Sequence, residues 1–230
     1  MKIFLSVIAL TLLLLGLASL LPSPQSPEIG DSDNFLPWQI RLDAEGQSEV
    51  FGLKPGVSTL QDARQRFGDK PELGIIAAPN EIGALEAYYA QVDLGPLQGR
   101  LILTLDVLPE TLKTMRERAV KAEYMESVTR RIRLAPEDVE AANRTPLAAI
   151  SFIPGANLDE DVLKQRFGEP AEVIRVSETL THYLYPDKGL DVVHDAKGRE
   201  ILQYVAPREF ETRIREPLCR NPVPASDAKP

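Results

Sequence analysis

Gln65-Arg66-Phe67-Gly68-Asp69-Lys70-Pro71 and Gln165-Arg166-Phe167-Gly168-Glu169-Pro170 decide how this chain is read. The two Gln-Arg-Phe-Gly cores stand 100 residues apart, and a Pro-Gly pair precedes each, Pro55-Gly56 and Pro154-Gly155. That spacing exceeds solenoid periods and predicts one small fold used twice, with an insertion between the copies. Each phrase reads as a helix ending. The Phe packs the helix on a sheet, the Gly supplies the left-handed residue, the proline prevents continuation, and the Arg covers an edge with its stem.

Upstream of the first phrase, Leu60, Ala63, Arg64 and Phe67 recur at helical spacing, with Ser58 or Thr59 as the cap. Downstream, Leu73–Ala78, Leu85–Leu94 and Arg100–Leu108 read as strands, the last alternating Leu101, Leu103, Leu105 and Val107 against Arg100, Thr104 and Asp106. Around the second phrase, Leu147–Ile153 enters as a strand and Asp159–Phe167 is the helix. Glu172–Ser177, Thr179–Tyr185, Leu190–His194 and Arg199–Val205 then form a meander, punctuated by Pro186-Asp187-Lys188-Gly189 and Asp195-Ala196-Lys197-Gly198. Between the copies, Pro109–Ser127 reads as a helix with Leu112, Met115, Ala119 and Ala122 on one stripe. The expected fold class is α+β: two short helices, each on an antiparallel meander, joined by a helical insertion behind an N-terminal hydrophobic helix.

The expected boundaries follow: a signal-anchor or signal peptide over 1–21, a flexible spacer over 22–34, and a first helix-plus-meander unit over 35–108. A helical connector over 109–146, a second unit over 147–210 and a disordered tail over 211–230 complete the chain. A Pro-Gly loop, a short helix ending in Phe-Gly-x-Pro and a β-meander together resemble the superfamily that joins the outer-membrane small lipoprotein A assembly factors to the β-lactamase-inhibitor proteins. The resemblance covers Gly52–Leu108 and Pro154–Ala206. It implies tandem α+β units and a protein-binding role, and it carries over no inhibitory residue. The lipobox cysteine of the lipoprotein branch is absent, with Ser19 where the signal ends.

The amino end fixes the expected address. Ile3 to Leu21 is 19 residues without a charge, interrupted by Ser6, Thr11, Gly16 and Ser19. As a helix it measures about 28 Å, close to the hydrocarbon core of a bilayer. It reads either as an uncleaved inner-membrane anchor or as a secretory signal cut after Gly16-Leu17-Ala18; apolar character continuing through Leu20-Leu21 favours the anchor. Lys2 is the only charge before Glu28, so either reading exports the bulk of the chain to the periplasm.

The net charge of −8 argues against nucleic acid, whose phosphates need clustered cations. Cys219 is the only cysteine, so no intrachain disulfide forms. Phosphate-binding, dinucleotide-binding, nucleophile-elbow and zinc-protease motifs are all missing. No cofactor or metal is expected.

His182 and His194 are the obvious chemical candidates. A turn pairing Tyr185 with Leu190 sets Thr181 opposite His194 and puts the two imidazoles on opposite faces, which forbids a shared metal site. His182 with Asp191 or Asp195 is the minimal hydrolase-like alternative, and a small-ligand carrier cupped by the sheets is another. The leading expectation is a non-enzymatic, membrane-tethered envelope protein that binds another envelope protein through a sheet face. Tyr183, Tyr185 and Tyr204 are the candidate contact residues, with Tyr183 and Tyr185 on one face and Tyr204 on the other.

Overall fold

The computed structural model describes residues 35–125 and 129–220. The expected N-terminal hydrophobic helix and spacer lie outside them, as do residues 221–230. Among the described residues no helix is long and apolar enough to cross a membrane. The structure is α+β, a large antiparallel sheet with five helices.

A two-residue hairpin, β1 (Arg41–Leu42) and β2 (Ser48–Glu49), precedes helix α1 (Leu60–Phe67). Strands β3 (Glu72–Ala77), β4 (Ala84–Leu94) and β5 (Leu97–Leu105) follow as a meander. Then come α2 (Pro109–Glu117), a hairpin of β6 (Lys121–Tyr124) and β7 (Arg130–Arg133), and α3 (Pro136–Asn143). Strand β8 (Leu147–Pro154) leads to α4 (Glu160–Phe167), and β9 (Glu172–Arg175), β10 (Leu180–Tyr185), β11 (Leu190–Asp195) and β12 (Ile201–Val205) complete the sheet. A helical tail ends in α5 (Glu216–Arg220).

Ten strands form one sheet in the order β6-β7-β3-β4-β5-β8-β12-β11-β10-β9. The join is β8, paired to β5 on one side and to β12 on the other, so the two meanders share a continuous ladder. The β10–β11 register pairs Tyr185 with Leu190 and Thr181 with His194, as the turn chemistry predicts. Gly189 makes that turn possible: its φ is +66°, and a Cβ there would lie 2.1 Å from the Val205 carbonyl oxygen.

Alternation along the strands gives the sheet two buried faces. Helices α1 to α4 contribute Leu60, Ala63, Phe67, Leu112, Met115, Ala142, Leu163 and Phe167 to the core on the first face. Both short helices end as their sequence dictates. Thr59 caps α1 in a capping box with Asp62, and Asp159 caps α4 by accepting from Val162 N–H at 2.9 Å. Gly68 and Gly168 close them at φ +96° and +84°. Tyr89 then donates its hydroxyl to the Gly68 carbonyl at 3.1 Å, and Tyr185 donates to the Gly168 carbonyl at 3.0 Å. Phe67 meets Tyr89, and Phe167 meets Tyr185, with centroids 5.8 and 6.1 Å apart.

Two expectations are corrected here. The connector helix stops at Glu117, because Val120 N–H and the strand Lys121–Tyr124 pair with β7 instead. Edge pairing outweighs the helical stripe, and Ala122 sits opposite Ile132. The tail is ordered as far as Arg220: Phe210, Ile214 and Leu218 bury themselves on the second face against Ala149, Leu184 and Val205. Arg213 to Asp106 at 3.0 Å and Arg215 to Glu172 at 2.6 Å tie that helix across the sheet. The prolines and charges that suggested disorder flank an apolar i, i+4, i+8 stripe.

Candidate binding face

The segment entering the domain is fixed before the sheet begins. Arg66 stacks its guanidinium 3.3 Å from the Phe35 ring centroid, and Arg166 stands 4.7 Å over Trp38. Trp38 also meets Phe167 edge-on at 6.4 Å. Between them Tyr204 donates to the Pro37 carbonyl at 2.8 Å. The twin arginines therefore hold residues 35–38 as a strap touching both helix ends, a more specific task than covering an edge.

The tyrosine expectation is corrected. Tyr183, Tyr185 and Tyr204 all point to the first face, since Tyr204 pairs with Leu190 and Leu190 with Tyr185. They are 7%, 5% and 1% exposed and belong to the main core. Burial raises the Tyr185 hydroxyl to about 12, and it raises that of Tyr204 well above its ordinary value. Side chains so enclosed build the core of the first face, with the Tyr185 and Tyr204 hydroxyls donating to backbone carbonyls.

The second face carries the unexplained features. One apolar residue from each of six adjacent strands lies on it: Tyr88 (β4), Ile102 (β5), Ile153 (β8), Ile201 (β12), Val193 (β11) and Leu180 (β10). With strands about 4.8 Å apart, this row runs about 24 Å across the sheet. Ile102, Ile153, Val193 and Ile201 are only 2–3% exposed. Yet the described apolar residues packed against them are Tyr88 and Leu180, the half-buried ends of the same row. The tail helix covers the other side of this face, over Ala149, Leu184 and Val205.

Polar groups lie between row and tail. Ser151 faces Gln203, and Gln203 faces Asp191; Glu86 faces Thr104 further along. All five are buried. His182 Nδ1 lies 2.8 Å from Asp191 Oδ2, with both side chains essentially sealed from solvent. Among the described residues, His182 Nε2, Asp191 Oδ1 and Gln203 Nε2 have no hydrogen-bond partner. Each such atom costs about 1–3 kcal/mol unless something answers it. Burial alone drives the Glu86 carboxyl up to about 8, so it is protonated at neutral pH.

The remaining candidates separate. His194 lies on the first face beside the Tyr183 ring and Glu200, away from His182. Asp195 accepts from the Lys197 N–H and shapes a turn rather than joining the His182 pair. Among the described residues no group of three His, Cys, Asp or Glu side chains is arranged to hold a metal. An open cleft of 590 Å³ beside Glu81, Lys113 and Arg130 mixes both charge signs, and its Arg116 is engaged by the Glu81 and Ile82 carbonyls.

No family model matches this chain, and none of the curated proteins or solved structures does. The row is hard to see in sequence because its residues fall one to a strand. The signal was present: Leu147–Pro154 and Leu101–Leu105 are nearly continuous apolar runs, the mark of strands buried on both faces.

Proposed function

We propose that this chain is a non-enzymatic protein of the bacterial envelope, tethered to the inner membrane through Ile3–Leu21, that binds an apolar helix of another envelope protein along the Tyr88–Leu180 row. The observation that carries the reading is the row: six apolar residues on six neighbouring strands, ending in the half-buried Tyr88 and Leu180. A helix of about 16 residues matches its 24 Å length, and the tail helix beside it shows that this face accepts helices.

The rest of the reading follows from the scaffold. The paired Phe–Gly–Tyr contacts at residues 67–89 and 167–185 support a duplicated helix-and-meander unit, similar to the tandem units of the small lipoprotein A and β-lactamase-inhibitor superfamily. The strap supports tethering, because it fixes the chain emerging from the apolar run and spacer to both helix ends.

Photo-crosslinking in intact cells tests this reading. A diazirine side chain at Leu180, at the end of the row, is expected to give one discrete protein adduct. Ile201→Asp in the same chain is expected to reduce it at least tenfold, the effect of about 1.4 kcal/mol or more. The control is Val173, exposed on edge strand β9. Equal adducts from Leu180 and Val173, or an adduct unmoved by Ile201→Asp, overturns the proposal.

A further inference from the structure

We infer that two copies of this chain join edge to edge through β6, so that one antiparallel sheet runs through both. This surface is separate from the row on the second face. β6 ends the sheet order, and β7 is its strand partner among the described residues. Along it Lys121, Ala122 and Tyr124 are exposed and Glu123 is half-buried; Val120, just before it, is 64% exposed and Tyr124 70%. Such an edge offers unpaired backbone groups to another strand. Met125 N–H donates to the Thr129 carbonyl at 2.9 Å, so alternation turns the Lys121 and Glu123 backbone groups toward β7 as well. The N–H and C=O groups of Ala122 and Tyr124 therefore point to the open side.

The residues of the edge say what fits it. Val120-Lys121-Ala122-Glu123-Tyr124 is complementary to itself when two copies run in opposite directions about Ala122. Ala122 then meets the partner's Ala122, Lys121 meets the partner's Glu123, and Val120 meets the partner's Tyr124, with the last two contacts repeated by the twofold axis. The two alanines exchange backbone hydrogen bonds, and Tyr124 N–H reaches the partner's Val120 carbonyl on either side. Lys121 and Glu123 fall at the positions between those bonds, where opposed side chains stand closest. Within one copy Lys121 lies 2.6 Å from Glu123, with Arg133 4.0 Å from the same carboxylate, so pairing builds a cluster of alternating charge. On the other face Ala122 extends the core beyond Ile132, and the Tyr124 ring, 4.7 Å from the Arg130 guanidinium, gains an aliphatic neighbour. Register is specified: a slip of two residues sets Lys121 on the partner's Lys121, or Glu123 on the partner's Glu123. A lysine on an edge is a common device against pairing, and a second copy answers it. The opposite edge has no such match, since β9 turned about Val173 opposes Glu172 to Ile174, and about Ile174 opposes Val173 to Arg175.

The test uses the full chain with Cys219→Ser, expressed in intact cells and carrying Ala122→Cys as reporter. Hydrogen-bonded partners on antiparallel strands have Cα atoms about 5.5 Å apart, within the span of a disulfide. Oxidation is expected to link Ala122→Cys chains into dimers of two identical copies and to leave Val173→Cys, on the opposite edge, unlinked. Adding Lys121→Glu or Glu123→Lys is expected to cut the link about fivefold or more, because either change sets two like-charged pairs across the axis. Co-expressing the two reversal variants under different tags is expected to restore the link between unlike chains, since each then answers the other's charge. A reversal that merely disturbed its own strand would not be rescued by a second chain. Equal linkage from Ala122 and Val173, or a link from Ala122→Cys to a different protein, overturns the inference. So does a link unmoved by either reversal, or one that the mixture of reversals fails to restore.

Discussion

Replacing Glu86 with glutamine is expected to remove most of the pH dependence of stability between pH 5 and pH 8. Glu86 sits 4% exposed on the second face, and burial raises its carboxyl from 4.5 to about 8. A raised carboxyl favours the protonated folded state. Below pH 4.5 the side chain is neutral whether the chain is folded or not, and its contribution is fully present. As pH rises the unfolded chain ionises first, and stability falls until the folded group also ionises near pH 8. Each unit of difference is worth about 1.4 kcal/mol, so the loss across the window is on the order of 4 kcal/mol. Glutamine keeps the shape and cannot ionise. Urea unfolding at pH 5 and pH 8 is expected to show the wild type weakening by several kcal/mol and Glu86→Gln nearly unchanged. Parallel losses in both proteins would place the carboxylate in water and remove the enclosed face from the account.

Tyr204→Ala is expected to be the most damaging single change on the first face. The ring is 1% exposed and lies edge-on to Phe51 with centroids 5.5 Å apart. Removing a buried aromatic leaves a cavity and costs about 3–5 kcal/mol. For a domain of this size that corresponds to a fall in melting temperature of roughly 10 °C. Its hydroxyl is also the bond that pins the strap at Pro37. Tyr204→Phe isolates that bond, at about 1 kcal/mol. The Phe variant is expected to keep its core but become sensitive to protease at residues 35–40, with Trp38 fluorescence shifted to the red. An Ala variant melting within 2 °C of wild type, or a Phe variant with an unaltered strap, contradicts the packing described, with the small thermal shift set against the scale expected for a cavity.

Much of the fold was legible because local chemistry and tertiary packing agree. Thr59, Asp159, Gly68 and Gly168 mark helix ends that the structure uses as such, and the Pro186–Gly189 turn sets the β10–β11 register. Where they disagree, the sequence misled. Lys121–Tyr124 continues a helical stripe but gains more from pairing with β7 at the sheet edge. Residues 211–220 look like a charged, proline-rich tail, yet Ile214 and Leu218 fit an apolar hollow that only the assembled sheet creates. Tyr204 shares the face of Tyr185 because the turn before β12 sets Leu190 opposite Tyr204.

The candidate face was less legible, for a physical reason. Its six row residues lie between positions 88 and 201, one per strand, and become neighbours only through the β5–β8 join. No local motif records that join. The Gln-Arg-Phe-Gly phrase itself, twice placed under an arginine–aromatic contact, orders the strap and the helix ends on the first face. The surface with unanswered polar atoms lies on the other side of the sheet.

Carbene footprinting of the full-length protein in native membranes tests that surface most directly, by reading side-chain labelling on β10 and β12 by mass spectrometry. If the row docks an apolar helix, Leu180 and Ile201 stay protected relative to exposed Val173, and become labelled at least tenfold more in a chain lacking residues 1–34 and stripped of bound protein, the scale of about 1.4 kcal/mol in occupancy. Labelling of Leu180 and Ile201 as strong as that of Val173 in the intact membrane form contradicts a docked helix.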